Sequence, residues 1–136
     1  VTHRVITELA LFKKIAEHQK HVATDTLHHA VAFYATFYSG LHAHLAANPG
    51  CFAHDLLAFI YLTNPELFGL ETGSIRVATG GIAQGQTMLN RRGYINYPQQ
   101  GWSKDLPVTD VCMKVDATGC LDLFEKTMLS DWLRKN

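Results

Sequence analysis

The sequence predicts a helix-rich α/β fold, and three observations support that class. Through the first half of the chain, apolar residues recur every three or four positions, which is the spacing of helices that bury one face. After Gly69, short stretches alternate apolar and polar residues between glycine pairs, a pattern typical of strands and turns. Near the C-terminus the helical spacing returns, so one more helix is expected to follow the strands.

Composition indicates a globular chain with no charge bias. The 136 residues are 47% hydrophobic and 18% charged, a balance typical of one folded domain. Twelve basic and twelve acidic residues cancel, so there is no electrostatic reason to expect nucleic acid or an anionic membrane as a partner. No stretch approaches the roughly 18 apolar residues of a membrane span. Three widely spaced cysteines without a CxxC pair indicate reduced thiols and a cytoplasmic location.

The first half is expected to begin with two helices. The first runs from a cap formed by Thr7 to about His18, because hydroxyl and carboxylate oxygens bind the free N–H groups of a helix start. The second runs from a cap formed by Thr24 or Asp25 to about Ala46. The predicted apolar stripe of this second helix consists of Leu27, Val31, Tyr34, Tyr38, Leu41 and Leu45.

A short third helix is expected after the break at residues 48–50, Asn-Pro-Gly. It runs from about Asp55 to Leu62. Pro65 then suits the first position of a further turn, because the N–H that proline lacks is not needed there.

The second half is expected to contain strands and a final helix. Alternation predicts strands at residues 74–79 and 108–115 and a shorter one at 86–89. Residues 90–107 are rich in Gly, Asn, Gln, Tyr and Pro and predict a long loop. Asp116 is expected to cap a helix that ends at about Arg134.

His54 and Asp55 form the most informative pair, because they stand side by side just before the apolar run 56–62. Burying both groups without partners would cost several kcal/mol. The residues leave two interpretations open. In one, Asp55 is only a helix cap and His54 is a surface or hydrogen-bonded histidine. In the other, Asp55 is an oxygen ligand of Ca²⁺ or Mg²⁺ and His54 donates a proton beside it.

The other histidines suggest a second hypothesis, in which the chain is a non-catalytic, histidine-rich helical module for interaction or metal binding. Imidazole is a common ligand of zinc and nickel. The candidate pairs are His18 and His21, His28 and His29, and His42 and His44. The last pair is expected on different faces of the second helix, and no Cys or His partner stands at a recognised spacing. The residues therefore favour exposed histidines over a zinc or nickel site.

Four segments resemble one enzyme family. Residues 54–68, HDLLAFIYLTNPELF, resemble the HDPLAVAYLLDPELF-like strings of the inosine-uridine-type nucleoside hydrolases. Residues 81–88 are similar to the family's GELTRGQTV stretch, residues 108–116 to its VALDVD strand, and residues 1–5 to its DVTHKV string. These matches keep their order across nearly the whole chain. By this resemblance, the chain corresponds to the C-terminal half of the family fold.

The resemblance implies an activity and a cofactor. Nucleoside hydrolases split the N-glycosidic bond of purine or pyrimidine ribonucleosides into ribose and free base, a reaction of nucleoside salvage. They bind one Ca²⁺ ion, which holds the attacking water and the ribose hydroxyls. The implied fold is Rossmann-like, with a mostly parallel sheet.

The resemblance also implies roles for four residues. Asp55 becomes a Ca²⁺ ligand, and His54 helps the base to leave as an acid or a polarising donor. Tyr34 and Tyr38, which share one helix face at i,i+4 spacing, resemble positions that face the nucleobase. Their alternative interpretation is that both are core aromatics of the stripe that includes Val31.

Two family motifs do not occur in the 136 residues. These are the Asp-rich DTDPGxDDA string, which supplies the general base and most Ca²⁺ ligands, and the NxxxExN-like stretch that clamps the ribose. Residues 1–136 are therefore expected to be a single segment, the C-terminal part of a nucleoside hydrolase domain whose N-terminal half is absent. We expect this chain alone to be inactive, to need that half or a partner chain, and to expose apolar surface. The intact enzyme is expected to be a homo-oligomer.

Overall fold

The computed structural model describes residues 1–91 and 106–133. It has mixed helix and sheet, which confirms the α/β class. The chain forms two compact units: unit 1 comprises Val1–Leu67 and Val115–Asn136, and unit 2 comprises Phe68–Lys114. Among the described residues, no helix combines the length and the apolar character that crossing a bilayer requires.

Unit 1 contains four helices in the part of the chain that the structure describes. They are α1 Leu9–Gln19, α2 Val22–Leu41, α3 His54–Thr63 and α4 Ala117–Met128. Helix α1 packs on α2 and α4. The most deeply buried side chains belong to these elements and their connections: Val5, Ile15, Ala35, Leu45 and Cys120.

The buried Gln19 side chain joins the C-terminal ends of α1 and α4. Its Nε2 donates to the carbonyl oxygens of Met128, at 2.6 Å, and Ser130, at 2.7 Å. Nearer the start of α1, the ring of Phe12 packs on that of Phe124, with the two centroids 5.8 Å apart. These contacts bring the last helix of the chain against the first one.

Two short strands place the start of α3 beside the N-terminal segment. Strand β1, Ile6–Glu8, pairs antiparallel with β2, Gly50–Phe52. The N–H of Ala53 then donates to the carbonyl oxygen of Val5 at 3.0 Å. Because α3 begins at the next residue, the ladder determines where that helix starts.

The prediction that Thr7 caps the first helix is wrong. Thr7 lies in β1, is buried, and donates its hydroxyl to the carbonyl oxygen of Cys51 at 3.0 Å. Helix α1 begins two residues later, with Glu8 as an N-cap that makes no side-chain bond. The long-range pairing with β2 engages Thr7, and the local capping pattern could not reveal that pairing.

Helix α2 begins and ends earlier than its predicted bounds. His21 is the N-cap, and its Nδ1 accepts a hydrogen bond from the N–H of Ala23 at 3.1 Å. The helix ends at Leu41 and is followed by a 3-10 turn, Ala43–Leu45. In this turn the side chain of Leu45 is buried, so it belongs to the core without belonging to the helix.

Helix α3 and the turn after it agree closely with the sequence. The helix is one residue longer at each end than predicted, and the turn Pro65–Leu67 begins at the expected proline. Asp116 caps α4 as predicted, since its Oδ1 accepts from the N–H of Gly119 at 3.0 Å. Helix α4 nevertheless ends at Met128, and a 3-10 turn, Asp131–Leu133, replaces its predicted last part.

Unit 2 is built on a three-stranded sheet in the order β4-β3-β5. The strands are β3 Phe68–Val77, β4 Thr87–Asn90 and β5 Val108–Val115. Strands β3 and β4 pair antiparallel. The bounds of β5 are as predicted, whereas β3 begins six residues before the predicted start at residue 74. Most of the predicted loop at 90–107 lies outside the described residues.

Candidate active site

One cleft of unit 1, with a volume of about 360 Å³, brings together the four residues singled out from the sequence. Helix α2, strand β2 and the start of α3 supply its lining. The lining residues are Tyr34, Tyr38, Cys51, Phe52, His54 and Asp55. An imidazole, a carboxylate and aromatic rings therefore face the same space, although α2 and α3 are separated in sequence.

His54 and Asp55 are the first two residues of α3, and both are exposed. Ala53 is the N-cap and makes no side-chain cap bond, and Asp55 is the second residue of the helix. The interpretation of Asp55 as a helix cap is therefore wrong. The burial cost expected for the pair does not arise either, because both side chains lie at the surface. The first turn of a helix still favours a carboxylate through the helix dipole.

The two tyrosines occupy different environments. Tyr34 is 54% exposed, so the interpretation of Tyr34 as a core aromatic is wrong. Tyr38 is half-buried, and its ring meets Phe52 edge to face with centroids 5.2 Å apart. The buried face of α2 is formed by residues such as Val31 and Ala35, which leaves Tyr34 directed toward the cleft and solvent.

A ring cluster surrounds the buried side chain of Phe52. Five rings have centroids between 4.5 and 6.4 Å from that of Phe52: those of His3, Tyr38, His42, His44 and His54. We call these six residues the Phe52 cluster. Its members come from the N-terminal turn, the end of α2, the turn after it, β2 and α3.

Sequence reasoning did not predict that the members of the Phe52 cluster come together. His42 and His44 were expected on different faces of a helix, but α2 ends at Leu41 and their ring centroids lie 5.6 Å apart. The placement of Phe52 depends on its pairing with Ile6, which no local pattern encodes. The one available signal was the family-like string at residues 1–5, which contains His3.

The described residues fit a metal ion only in part. Asp55 offers an exposed carboxylate at the cleft, a suitable oxygen ligand for a hard cation. However, no group of three or more His, Cys, Asp and Glu side chains in residues 1–91 and 106–133 is placed to hold one ion. Ca²⁺ takes six to eight oxygen ligands. These residues therefore form neither a complete calcium site nor the histidine site of the second hypothesis.

A family model described as "inosine-uridine preferring nucleoside hydrolase" matches residues 1–122. The chain is 30% identical over 94 residues to probable uridine nucleosidase 1 of Oryza sativa subsp. japonica, covering 69% of this chain and 29% of that protein. It is 29% identical over 96 residues to uridine nucleosidase 1 of Arabidopsis thaliana, covering 68% and 27%. The chain thus spans less than a third of the length of these curated relatives.

Solved structures show the same likeness at the level of the fold. A plant nucleoside hydrolase superposes with a TM-score of 0.78 at 22% identity, over 96% of this chain and 39% of that one. A purine-preferring ribonucleoside hydrolase from Gardnerella vaginalis superposes with a TM-score of 0.71 at 22% identity, over 94% and 37%. The α/β architecture described above is therefore that of part of these folds.

Proposed function

Because the chain belongs to the inosine-uridine preferring nucleoside hydrolase family, we propose that its cleft forms the leaving-group side of a site that hydrolyses ribonucleosides. The observation that carries the proposal is the meeting of Tyr34, Tyr38, His54 and Asp55 in one cleft. These side chains combine a proton donor, a carboxylate and aromatic surface, which are the groups that departure of a nucleobase requires.

His54 is the proposed general acid. In hydrolysis the bond between the anomeric carbon and the base nitrogen breaks, and its electron pair stays on the base. The protonated His54 side chain gives a proton to the base, neutralises the charge that develops there and is left as neutral imidazole, and the oxygen of a water molecule bonds to the anomeric carbon. The group that removes the proton from this water is expected outside the described residues.

Tyr34 and Tyr38 are the proposed contacts to the nucleobase. The exposed Tyr34 ring offers an apolar face and a hydroxyl to the cleft, while the contact with Phe52 holds Tyr38. Tyrosine suits a base because its ring stacks and its hydroxyl both donates and accepts hydrogen bonds. Purines and pyrimidines share these requirements, so the substrate class is purine and pyrimidine ribonucleosides.

Asp55 is proposed as one oxygen ligand of a Ca²⁺ ion. Such an ion activates water and polarises hydroxyl groups. The described residues supply only this carboxylate at the cleft, so the other ligands belong to the part of the family fold that these residues do not include. For the same reason, we expect residues 1–136 alone to release no base from nucleosides.

The exposed apolar side chains support the proposal that another part of the protein covers this chain. Phe33, Phe37 and Leu41 on α2 and Phe59 and Leu62 on α3 are all more than half exposed. The proposed partner is the N-terminal half of the family fold, in the same or a second chain, with a homo-oligomer as the complete enzyme.

The free thiols of Cys51, Cys112 and Cys120 support a cytoplasmic location.

Substitution of His54 tests the proposal. In the enzyme completed with the N-terminal half of the fold, His54→Ala should lower kcat for inosine and uridine by about 10²- to 10⁴-fold, the usual contribution of a general acid. Base release is followed by absorbance, and retained inhibition by ribose shows that sugar binding persists. The matched control is His29→Ala, which removes an exposed histidine of α2 outside the cleft. Unchanged turnover of the His54→Ala enzyme would remove His54 from the mechanism.

A further inference from the structure

We propose that His3 is a positioning residue that holds the His54 imidazole over the cleft, an inference that rests on the proposed function of His54. The two imidazoles meet edge to face, with centroids 5.4 Å apart and planes at 70°. His3 also packs against Phe52, at 4.5 Å between centroids. His54 lies 6.0 Å from the same Phe52 ring. Two histidines from distant parts of the chain thus share one aromatic platform.

His54 depends on such contacts for its orientation. It is exposed and stands at the first position of α3, where no preceding helical turn restricts its side chain. Its ring contacts within the described residues are those with His3 and Phe52. A catalytic acid must be held in a productive orientation for its proton to be useful, and these two rings are the groups that limit its motion.

His3 is itself held in place by the backbone around it. It lies in the 3-10 turn Thr2–Arg4, where the N–H of Arg4 donates to the carbonyl oxygen of Val1 at 2.9 Å. Val5 is fully buried, and its carbonyl oxygen accepts from the N–H of Ala53 at 3.0 Å. Ala53 is the N-cap of α3 and directly precedes His54. This backbone hydrogen bond therefore connects Val5, which follows the turn that contains His3, to the residue before His54.

The consequence for catalysis is a change in rate without a change in substrate binding. His3 is not among the residues that line the cleft, so its removal leaves the binding surface in place. An edge-to-face ring pair biases a side chain toward one orientation by about two- to tenfold. Loss of the His3 ring should therefore lower the fraction of His54 in the productive rotamer, and kcat with it, by a similar factor.

Two substitutions of His3 separate this role from a structural one. In the completed enzyme, His3→Ala should lower kcat about two- to tenfold with KM unchanged. His3→Phe keeps a ring at this position and should restore most of the rate. The matched control is His29→Ala, which removes an exposed histidine of α2 that belongs neither to the Phe52 cluster nor to the cleft lining. This control should keep the wild-type kcat.

An NMR measurement tests the same contact without relying on turnover. In the same proteins with ¹³C-labelled histidines, ring protons of His3 and His54 should show a nuclear Overhauser effect. The χ1 coupling constants of His54 should indicate one rotamer in wild type and His3→Phe, and averaging in His3→Ala. An unchanged kcat or an unchanged His54 rotamer in His3→Ala overturns the proposal, as does a His3→Phe enzyme as slow as His3→Ala. If the folded wild-type enzyme hydrolyses no nucleoside, the proposed function fails, and the His54 rotamer alone decides whether His3 positions it.

Discussion

Asp55 and His54 are adjacent, but different forces determine what each can do. The carboxylate of Asp55 lies in the first turn of α3 and is exposed, and its place is set by the start of its own helix. The orientation of His54 instead depends on rings that come from β2 and the N-terminal turn. The position of Asp55 thus follows from the local start of the helix, whereas the orientation of His54 depends on tertiary packing.

The proposed metal role of Asp55 leads to a prediction with a readout independent of turnover. In the completed enzyme, Asp55→Asn should weaken Ca²⁺ binding at least about tenfold in isothermal titration calorimetry, since the charge of the ligands sets Ca²⁺ affinity. The matched control is Asp25→Asn, which changes an exposed aspartate in the first turn of α2. Equal Ca²⁺ affinity in Asp55→Asn and wild type would exclude Asp55 as a ligand.

The three cysteines should differ in reactivity. Cys120 is fully buried, and burial together with the nearby Asp116 carboxylate raises the pKa of its thiol. The neutral thiol form is therefore favoured in the folded chain. The stability that this shift contributes is present at pH values below the pKa of the thiol in the unfolded chain. It is lost as the pH rises through the pKa of the thiol in the folded chain. Ellman's reagent should modify the half-exposed Cys51 and Cys112 first. Cys120→Ser should leave this fast phase unchanged, and equally fast reaction of all three thiols in folded protein contradicts the prediction.

At the scale of elements, the short ladder of β1 and β2 is what assembles the candidate site. Its register pairs Ile6 with Phe52, so the residue after the ladder, Ala53, becomes the N-cap of α3. Strand β2 also contacts α2, which supplies the two tyrosines. A ladder of three residue pairs therefore connects the three parts of unit 1 that line the cleft.

The turn between β3 and β4 leads to a prediction about unit 2. Gly85 has φ +86°, in the left-handed region where a Cβ is strained. Gly85→Ala should therefore reduce the free energy of unfolding by about 1 kcal/mol, measured with urea. The control is Gly80→Ala, because Gly80 has extended backbone at φ −162° and open space where a Cβ would lie. Equal stability of the two variants would contradict this assignment of backbone strain.

At the scale of the whole molecule, exposed apolar side chains predict self-association of the isolated chain. Phe33, Phe37 and Leu41 follow one another at four-residue spacing on α2 and are 75%, 57% and 62% exposed. Monomeric soluble proteins rarely leave such patches uncovered. Size-exclusion chromatography with light scattering should show species larger than 15.2 kDa. The double substitution Phe33→Ser and Phe37→Ser should shift them toward monomer. A clean, folded monomer of the unsubstituted chain would contradict the prediction.

Much of the secondary structure could be predicted from the sequence, because it depends on interactions between near neighbours. The alternation of residues 108–115 matches β5, and Asp116 caps α4 through a bond to a residue three positions away. The proline turn after α3 is equally local. A distant partner explains one wrong prediction: Thr7 is engaged by β2 and does not cap α1.

By itself, the sequence determined the class of fold, the family resemblance and the candidacy of Tyr34, Tyr38, His54 and Asp55. Periodicity, caps and motifs are properties of residues close together in the chain, so they are visible without coordinates. Only the tertiary structure decided that these four residues share a cleft, that Asp55 is not a cap, and that His3 contacts His54. Those facts depend on the pairing of residues 6–8 with residues 50–52, since contacts between distant segments form only when the chain folds.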